Sequence, residues 1–271
     1  MTQLQFASIN GVTLHYRREG QSEGVPLVFI NSLGTDLRIW DGIMPAFADH
    51  YPLIRYDQRG HGLSDVPPGP YTIRALADDL SGLLDYLQVE AAILIGVSVG
   101  GMVALDMANR QPERVKALVL CDTAPTIGTA EMWHERISTL RQHGMAYLGD
   151  TILGRWFAPA FINQHRATYR GYFNLLTRTP LDGYIATCEA IRDADLSGVV
   201  GSIHIPALVV GGADDLATPP DQVRGLAEAL PQARFELIEG AGHIPSLEQP
   251  TVLAAKIQQF LRSVADSPKK Y

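Results

Sequence analysis

Cysteine is nearly absent: Cys121 and Cys188 are the only two in 271 residues. They lie far apart in apolar surroundings. A chain of this size needs no disulfide, and two buried thiols in a reducing, cytoplasmic setting are expected. No stretch approaches the roughly 20 apolar residues that a bilayer span requires. No basic segment followed by an apolar run opens the chain, so neither membrane attachment nor a signal peptide is expected. Blocks of like charge are missing and the formal net charge is −7, which argues against a nucleic-acid surface. The eight histidines show no ligand spacing, so no metal site is expected. Repeats, linkers and low-complexity segments are missing as well. What is there is an ordinary globular composition, 46% hydrophobic, in a chain long enough for one large domain with an insertion.

The apolar pattern predicts alternating strands and helices. Residues 4–9 and 12–17 alternate in polarity around Asn10-Gly11, the strongest short hairpin signal, and predict an antiparallel pair. Residues 26–30, 51–56, 92–95, 115–121, 207–210 and 234–238 read as buried strands. Helices are predicted over 39–48, 72–87, 220–229 and 250–264, the second with Leu76, Leu80, Leu83 and Leu84 on one face. Near-continuously apolar strands alternating with helices indicate a mainly parallel sheet covered on both faces. From 123 to 196 the rhythm changes: no buried strand is visible, and helix-like pieces carry most of the remaining aromatic residues. The expected division is an α/β core of residues 1–122 and 197–271, with a helical cap at 123–196. The polar tail from residue 265 is expected to fray.

The chemistry centres on Gly96-Val97-Ser98-Val99-Gly100, which joins the apolar run at 92–95 to a stretch of helical pitch through Met102-Val103-Ala104-Leu105. The pentapeptide alone arises by chance in roughly one chain in ten of this length, and its strand–turn–helix setting makes it informative. A strand that reverses into a helix brings two backbones together, and Gly96 and Gly100 have no Cβ to clash there. Ser98 at the tip is expected in a strained conformation with its hydroxyl exposed, at a helix N-terminus that favours developing negative charge. Serine becomes nucleophilic only when a base takes its proton, and the base needs an orienting carboxylate. Two loops at the carboxyl ends of late strands supply candidates. One carries Asp214 and Asp215; the other is Gly240-Ala241-Gly242-His243, whose histidine is alone among the eight in following a late strand in a Gly-rich loop. Asp122, just past the strand ending at Cys121, is a third candidate acid. The oxyanion hole should use the N–H of Val99 and one from the loop after residues 26–30.

The order Ser98, Asp, His243 resembles that of the α/β-hydrolases with a helical cap, whose sheet has eight mostly parallel strands. More narrowly, the chain is similar to the 3-oxoadipate enol-lactonases. Asn31-Ser32-Leu33-Gly34-Thr35-Asp36-Leu37-Arg38, Arg55-Tyr56-Asp57, Gly69-Pro70-Tyr71-Thr72-Ile73, Gly154-Arg155-Trp156-Phe157 and Cys188-Glu189-Ala190-Ile191 carry that resemblance, which spans about residues 5–262. It implies a Ser98–His243–Asp215 triad, with Asp215 matched through the spacing from Gly212, and Leu33 as the second oxyanion donor. Asn31-Ser32 stands where the superfamily commonly has His-Gly, a departure that the lactonase pattern shares. Arg59-Gly60-His61-Gly62 resembles a structural loop without chemistry. The implied reaction is cofactor-free hydrolysis of a small lactone in aromatic (protocatechuate or catechol) catabolism. Because that lactone carries a carboxylate, a cationic cap residue is expected; Arg155 and Trp133 are the candidates for lining the pocket, with Arg136 among the other available cap arginines. A general carboxylesterase, a carbon–carbon hydrolase, a perhydrolase and a non-catalytic ligand receptor share the same residues and stay open. Dehalogenase and epoxide-hydrolase relatives carry Asp where this chain has Ser98. The oligomeric state is not legible.

Overall fold

The computed structural model describes residues 4–266. Eight strands form one sheet: β1 (Gln5–Ile9), β2 (Val12–Gly20), β3 (Leu27–Ile30), β4 (Pro52–Tyr56), β5 (Ala92–Val97), β6 (Val115–Cys121), β7 (Ala207–Gly212) and β8 (Ala233–Ile238). Their spatial order is β1-β2-β4-β3-β5-β6-β7-β8. β1 pairs antiparallel with β2 and β2 with β4, while every later pairing is parallel. The sheet is therefore the predicted one: mostly parallel, with an antiparallel N-terminal hairpin. Asn10 (φ 52°) and Gly11 (φ 78°) turn that hairpin, both in the positive-φ region that a type I′ turn demands. β2 extends beyond the expected residue 17 because its distal half pairs with β4.

β3, β5 and β6 occupy the middle of the sheet, and every residue of β3 and β5 is buried. Each buried Leu, Ile or Val there contributes about 1.5–3 kcal/mol through loss of apolar surface from water. Helices α1 (Ile73–Tyr86) and α2 (Val99–Arg110) pack on each other and against the sheet. Thr72 caps α1 by accepting from the Ala75 N–H at 3.0 Å. The helix expected over 39–48 does not form. Two 3₁₀ turns, Leu37–Trp40 and Met44–Ala46, stand in its place. Pro45 supplies no N–H to continue a helical ladder through this stretch, and it begins the second turn instead.

Between β6 and β7 lie α3 (Ala130–His143), α4 (Met145–Trp156), α5 (Pro159–Gln164), α6 (Arg166–Thr177), α7 (Leu181–Arg192) and α8 (Ser197–Val200), with no strand among them. Trp156, Phe157, Phe161, Leu176 and Tyr184 are buried there and continuous with the core. α9 (Pro220–Ala229) follows β7; α10 (Pro245–Glu248) and α11 (Pro250–Ala265) follow β8. Most of the tail expected to fray, residues 267–271, lies outside the described residues. Among the described residues no helix is long and apolar enough to cross a membrane. Cys121 and Cys188 are free and buried, and burial pushes the Cys188 thiol up to about 12.

Candidate active site

β5 ends at Val97, and α2 begins at Val99. Ser98 between them sits at φ 58°, ψ −123°, a conformation that costs a non-glycine residue about 1–3 kcal/mol. Neighbours hold it there: its N–H donates to the Cys121 carbonyl at 3.0 Å, and the Thr123 hydroxyl donates to its carbonyl at 2.7 Å. The glycines behave as steric reasoning requires. A Cβ on Gly96 would lie 2.3 Å from the Gly100 carbonyl oxygen, and one on Gly100 would lie 2.3 Å from that of Ile30. Gly101, which the sequence does not single out, packs as tightly on Thr123: its Cβ would meet the Thr123 methyl at 2.4 Å.

His243, on the loop after β8, is 2% exposed, and its Nδ1 lies 2.8 Å from Asp215 Oδ2. An ionised carboxylate only accepts, so the shared proton belongs to Nδ1 and Nε2 is left as the acceptor. Asp215 is itself anchored: Oδ1 accepts from the Ala217 and Thr218 N–H groups at 2.7 and 3.2 Å, and the Thr218 hydroxyl lies 2.6 Å from Oδ2. Of the other candidate acids, Asp214 is exposed. Asp122 is fully buried, and its Oδ1 accepts from the Gly212 N–H at 2.7 Å. Burial first, and then the neighbouring Asp215 carboxylate, raise its pKa well above the usual carboxylate range. A raised pKa disfavours the charged form, and it is Asp215, not Asp122, that meets His243 Nδ1.

Ser98 and His243 line one cavity with Ser32, Leu33, Trp133, Arg136, Arg155 and Trp156. The cavity holds about 30 Å³, room for about one water. No hydrogen bond joins Ser98 to His243 among the described residues; such bonds commonly tighten only when substrate binds. The Leu33 and Val99 N–H groups donate to no acceptor among the described residues. Trp156 stacks on His243 with ring centroids 6.4 Å apart. The Trp133 indole donates to the Ile127 carbonyl at 2.6 Å and carries the Arg136 guanidinium over its face at 4.8 Å.

Three features escaped the sequence. His61, read there as part of a loop without chemistry, accepts from the Gly34 N–H through Nε2 at 2.9 Å and so pins the loop that carries Leu33. Burial lowers its pKa, which keeps Nε2 available as an acceptor. Arg155 borders the cavity, but its guanidinium is engaged by the Leu216 carbonyl, whereas Arg136 borders the same cavity with no carboxylate partner among the described residues. Glu248 binds two backbone N–H groups beside His243. No local signal marks these contacts, because each depends on segments distant in the chain. Among the described residues no group of three or more His, Cys, Asp or Glu side chains is placed to hold a metal ion.

Comparison with known proteins extends the geometry. A family model described as the alpha/beta hydrolase fold matches residues 25–152 and 167–250. The chain is 36% identical to 3-oxoadipate enol-lactonase 2 of Acinetobacter baylyi over 251 residues, 93% of this chain and 94% of that one. It is 31% identical to 3-oxoadipate enol-lactonase 1 of the same organism over 254 residues, 94% of this chain and 95% of that one. The crystal structure of an enol-lactonase from Burkholderia xenovorans LB400 superposes with a TM-score of 0.93 at 38% identity, covering 95% of this chain and 100% of that one.

Proposed function

The chain belongs to the α/β-hydrolase family and is an ester-bond hydrolase, and from that premise we propose that it opens 3-oxoadipate enol-lactone by nucleophilic catalysis at Ser98. One observation carries the mechanism: a serine held at positive φ on a strand–helix elbow shares a buried cavity with a histidine whose Nδ1 is 2.8 Å from a carboxylate. The relatives that carry the enol-lactonase name support the substrate.

In this reading His243 Nε2 takes the Ser98 hydroxyl proton as Oγ bonds to the lactone carbonyl carbon. The oxyanion that forms accepts from the Leu33 and Val99 N–H groups, where α2 adds the favourable field of its N-terminus. Collapse breaks the ring C–O bond and the leaving enolate takes the proton back from His243 Nε2, leaving an acyl-enzyme, a neutral His243 and an enol that tautomerises to the ketone. Water, deprotonated by His243, then attacks the acyl carbon and frees Ser98. Asp215 stabilises the imidazolium in both halves. Residues 123–196 act as the cap. Arg136, with no carboxylate partner of its own and stacked on Trp133, is the group that pairs with the substrate's carboxylate; Arg155 and Trp133 complete the wall. A cytoplasmic setting fits the two free, buried thiols.

The test follows loss of ultraviolet absorbance of the enol-lactone with wild type and Ser98→Ala. The expected wild-type kcat/KM lies in the range of about 10⁴–10⁸ M⁻¹s⁻¹, abolished in the variant. Ser98-dependent cleavage of simple esters without lactone opening would replace this reading with a general carboxylesterase. Absence of both would replace it with a ligand receptor.

A further inference from the structure

Three hydrogen bonds join the end of α4 to the two loops that carry His243 and Asp215, and two more bridge Ala158 to the histidine loop through Glu248. Trp156 O accepts from the His243 N–H at 2.6 Å, and Arg155 O accepts from the Leu216 N–H at 3.3 Å. The Arg155 guanidinium donates in return to the Leu216 carbonyl. The other two bonds pass through one side chain. Glu248 Oε1 accepts from the Gly242 N–H and Oε2 from the Ala158 N–H, each at 2.8 Å. The backbones here are close enough that a Cβ on Gly242 would lie 2.2 Å from Trp156 O.

We propose that Glu248 is a positioning residue for His243: its carboxylate clamps the histidine loop to the helical segment through Gly242 and Ala158, and so aims the imidazole at Ser98. This rests on the triad reading given above. Glu248 touches no reacting atom; it acts through Gly242, the residue before the histidine. Both of its partners are donors, and only an acceptor-only group with two oxygens satisfies both. A glutamine of the same shape would turn an NH₂ against one N–H. The carboxylate therefore also couples the histidine loop to the start of α5.

The surroundings make the clamp sensitive to pH. Glu248 is buried, and the ionisable groups facing it are carboxyls: Asp215 and Asp214 on the loop after β7, and Asp122 at the end of β6. The His243 imidazole lies one residue beyond Gly242. Burial, with help from Asp215 and Asp214, pushes Glu248 up to about 7 against the lowering effect of its two N–H bonds. Protonation turns one acceptor into a donor and opens one arm of the clamp, so acidification through neutrality weakens the hold on His243.

The test measures kcat and KM for p-nitrophenyl acetate from pH 5.5 to 9 with wild type, Glu248→Gln, Ala158→Pro and Ser98→Ala, each checked by circular dichroism. Glu248→Gln should lose about 10- to 100-fold in kcat, the scale of a small misalignment of reacting groups. KM should move less than about threefold, since no substrate contact is removed. The acid limb of log kcat should fall with two protons in wild type and with one in the variant. Ala158→Pro removes the Ala158 donor and sets its Cδ against Glu248 Oε2, at a residue whose φ of −56° suits proline, and it should lower kcat in the same direction. A folded Glu248→Gln with wild-type kcat overturns the proposal, as does a loss that leaves the acid limb unchanged. If Glu248→Gln does not fold, wild-type kcat in Ala158→Pro overturns it. Wild-type turnover that survives in Ser98→Ala sinks the triad reading instead, and is visible without the Glu248 variant.

Discussion

Two buried histidines in this molecule pair with aspartates at the same distance, 2.8 Å from Nδ1 to Oδ2: His243 with Asp215 after β8 and β7, and His15 with Asp57 at the hairpin edge. Charge type, burial and length do not separate them. Their neighbourhoods do. His243 shares a cavity with Ser98 on its elbow and with Leu33, whose N–H donates to no acceptor among the described residues. His15 packs its ring against Phe6, while Asp57 accepts further from the Leu37 and Leu63 N–H groups, each at 2.9 Å, and so ties β2 to two loops. A histidine–carboxylate pair is thus a structural device that becomes a base only where a nucleophile and an oxyanion site face its second nitrogen.

Substituting the two aspartates gives the widest separation. Asp215→Asn should lower kcat per folded molecule by about 10⁴-fold, because the wrong histidine tautomer is held beside Ser98. Asp57→Asn should leave kcat per folded molecule unchanged and cost about 2–4 kcal/mol in urea unfolding, through buried donors left unpaired. Equal kinetic loss in both would collapse the distinction.

A smaller effect separates the regions by pH. Glu248, beside the His243 loop, holds its proton up to about 7 in the fold, against an ordinary glutamate value of 4.5. A carboxyl raised in the folded state binds more protons there than in the unfolded chain between those values, so its contribution to stability is present below 4.5 and is lost as pH rises to 7. The shift corresponds to roughly 3 kcal/mol. Unfolding midpoints across this window should fall with rising pH in wild type and flatten in Glu248→Gln; an unchanged slope in the variant contradicts the assignment.

The smallest effect concerns selectivity within the cavity. Arg136→Met should reduce kcat/KM for the carboxylate-bearing lactone by about 10- to 100-fold, the value of a charged hydrogen bond, and leave a neutral ester unaffected. Arg155→Met, which removes a bond to Leu216 instead, should alter both substrates alike. The opposite pattern would transfer the anion contact to Arg155.

What was legible in the sequence follows from the range of the forces involved. The elbow at Ser98 depends on the Gly96 and Gly100 backbones meeting within a few residues, and the pentapeptide records that directly. Buried strands such as Val115–Cys121, and Pro220–Ala229 in α9, coincide with their expected bounds because polarity and proline mark them locally. The misread helix at 39–48 had the apolar period but contained Gly42 and Pro45. The resemblance brought Asp215 forward among three acids; the physical ground for it, a solvent-facing Asp214 and an Asp122 that meets the Gly212 N–H while Asp215 meets His243, exists only after folding. Gly34 with His61, and Ala158 with Glu248, are pairs 27 and 90 residues apart. No periodicity encodes them. Which of Arg136 and Arg155 is tied to a backbone carbonyl beside the cavity depends likewise on how α3 and α4 pack.

The account stands on Ser98 being activated by His243. The direct measurement is mass spectrometry of the chain after brief exposure to a fluorophosphonate, with wild type and His243→Ala compared. The account predicts one phosphonyl group per wild-type chain, on the peptide containing Ser98 with fluoride as leaving group, and no modification in the variant over the same time. Equal labelling in both, or a label on another serine, would contradict it.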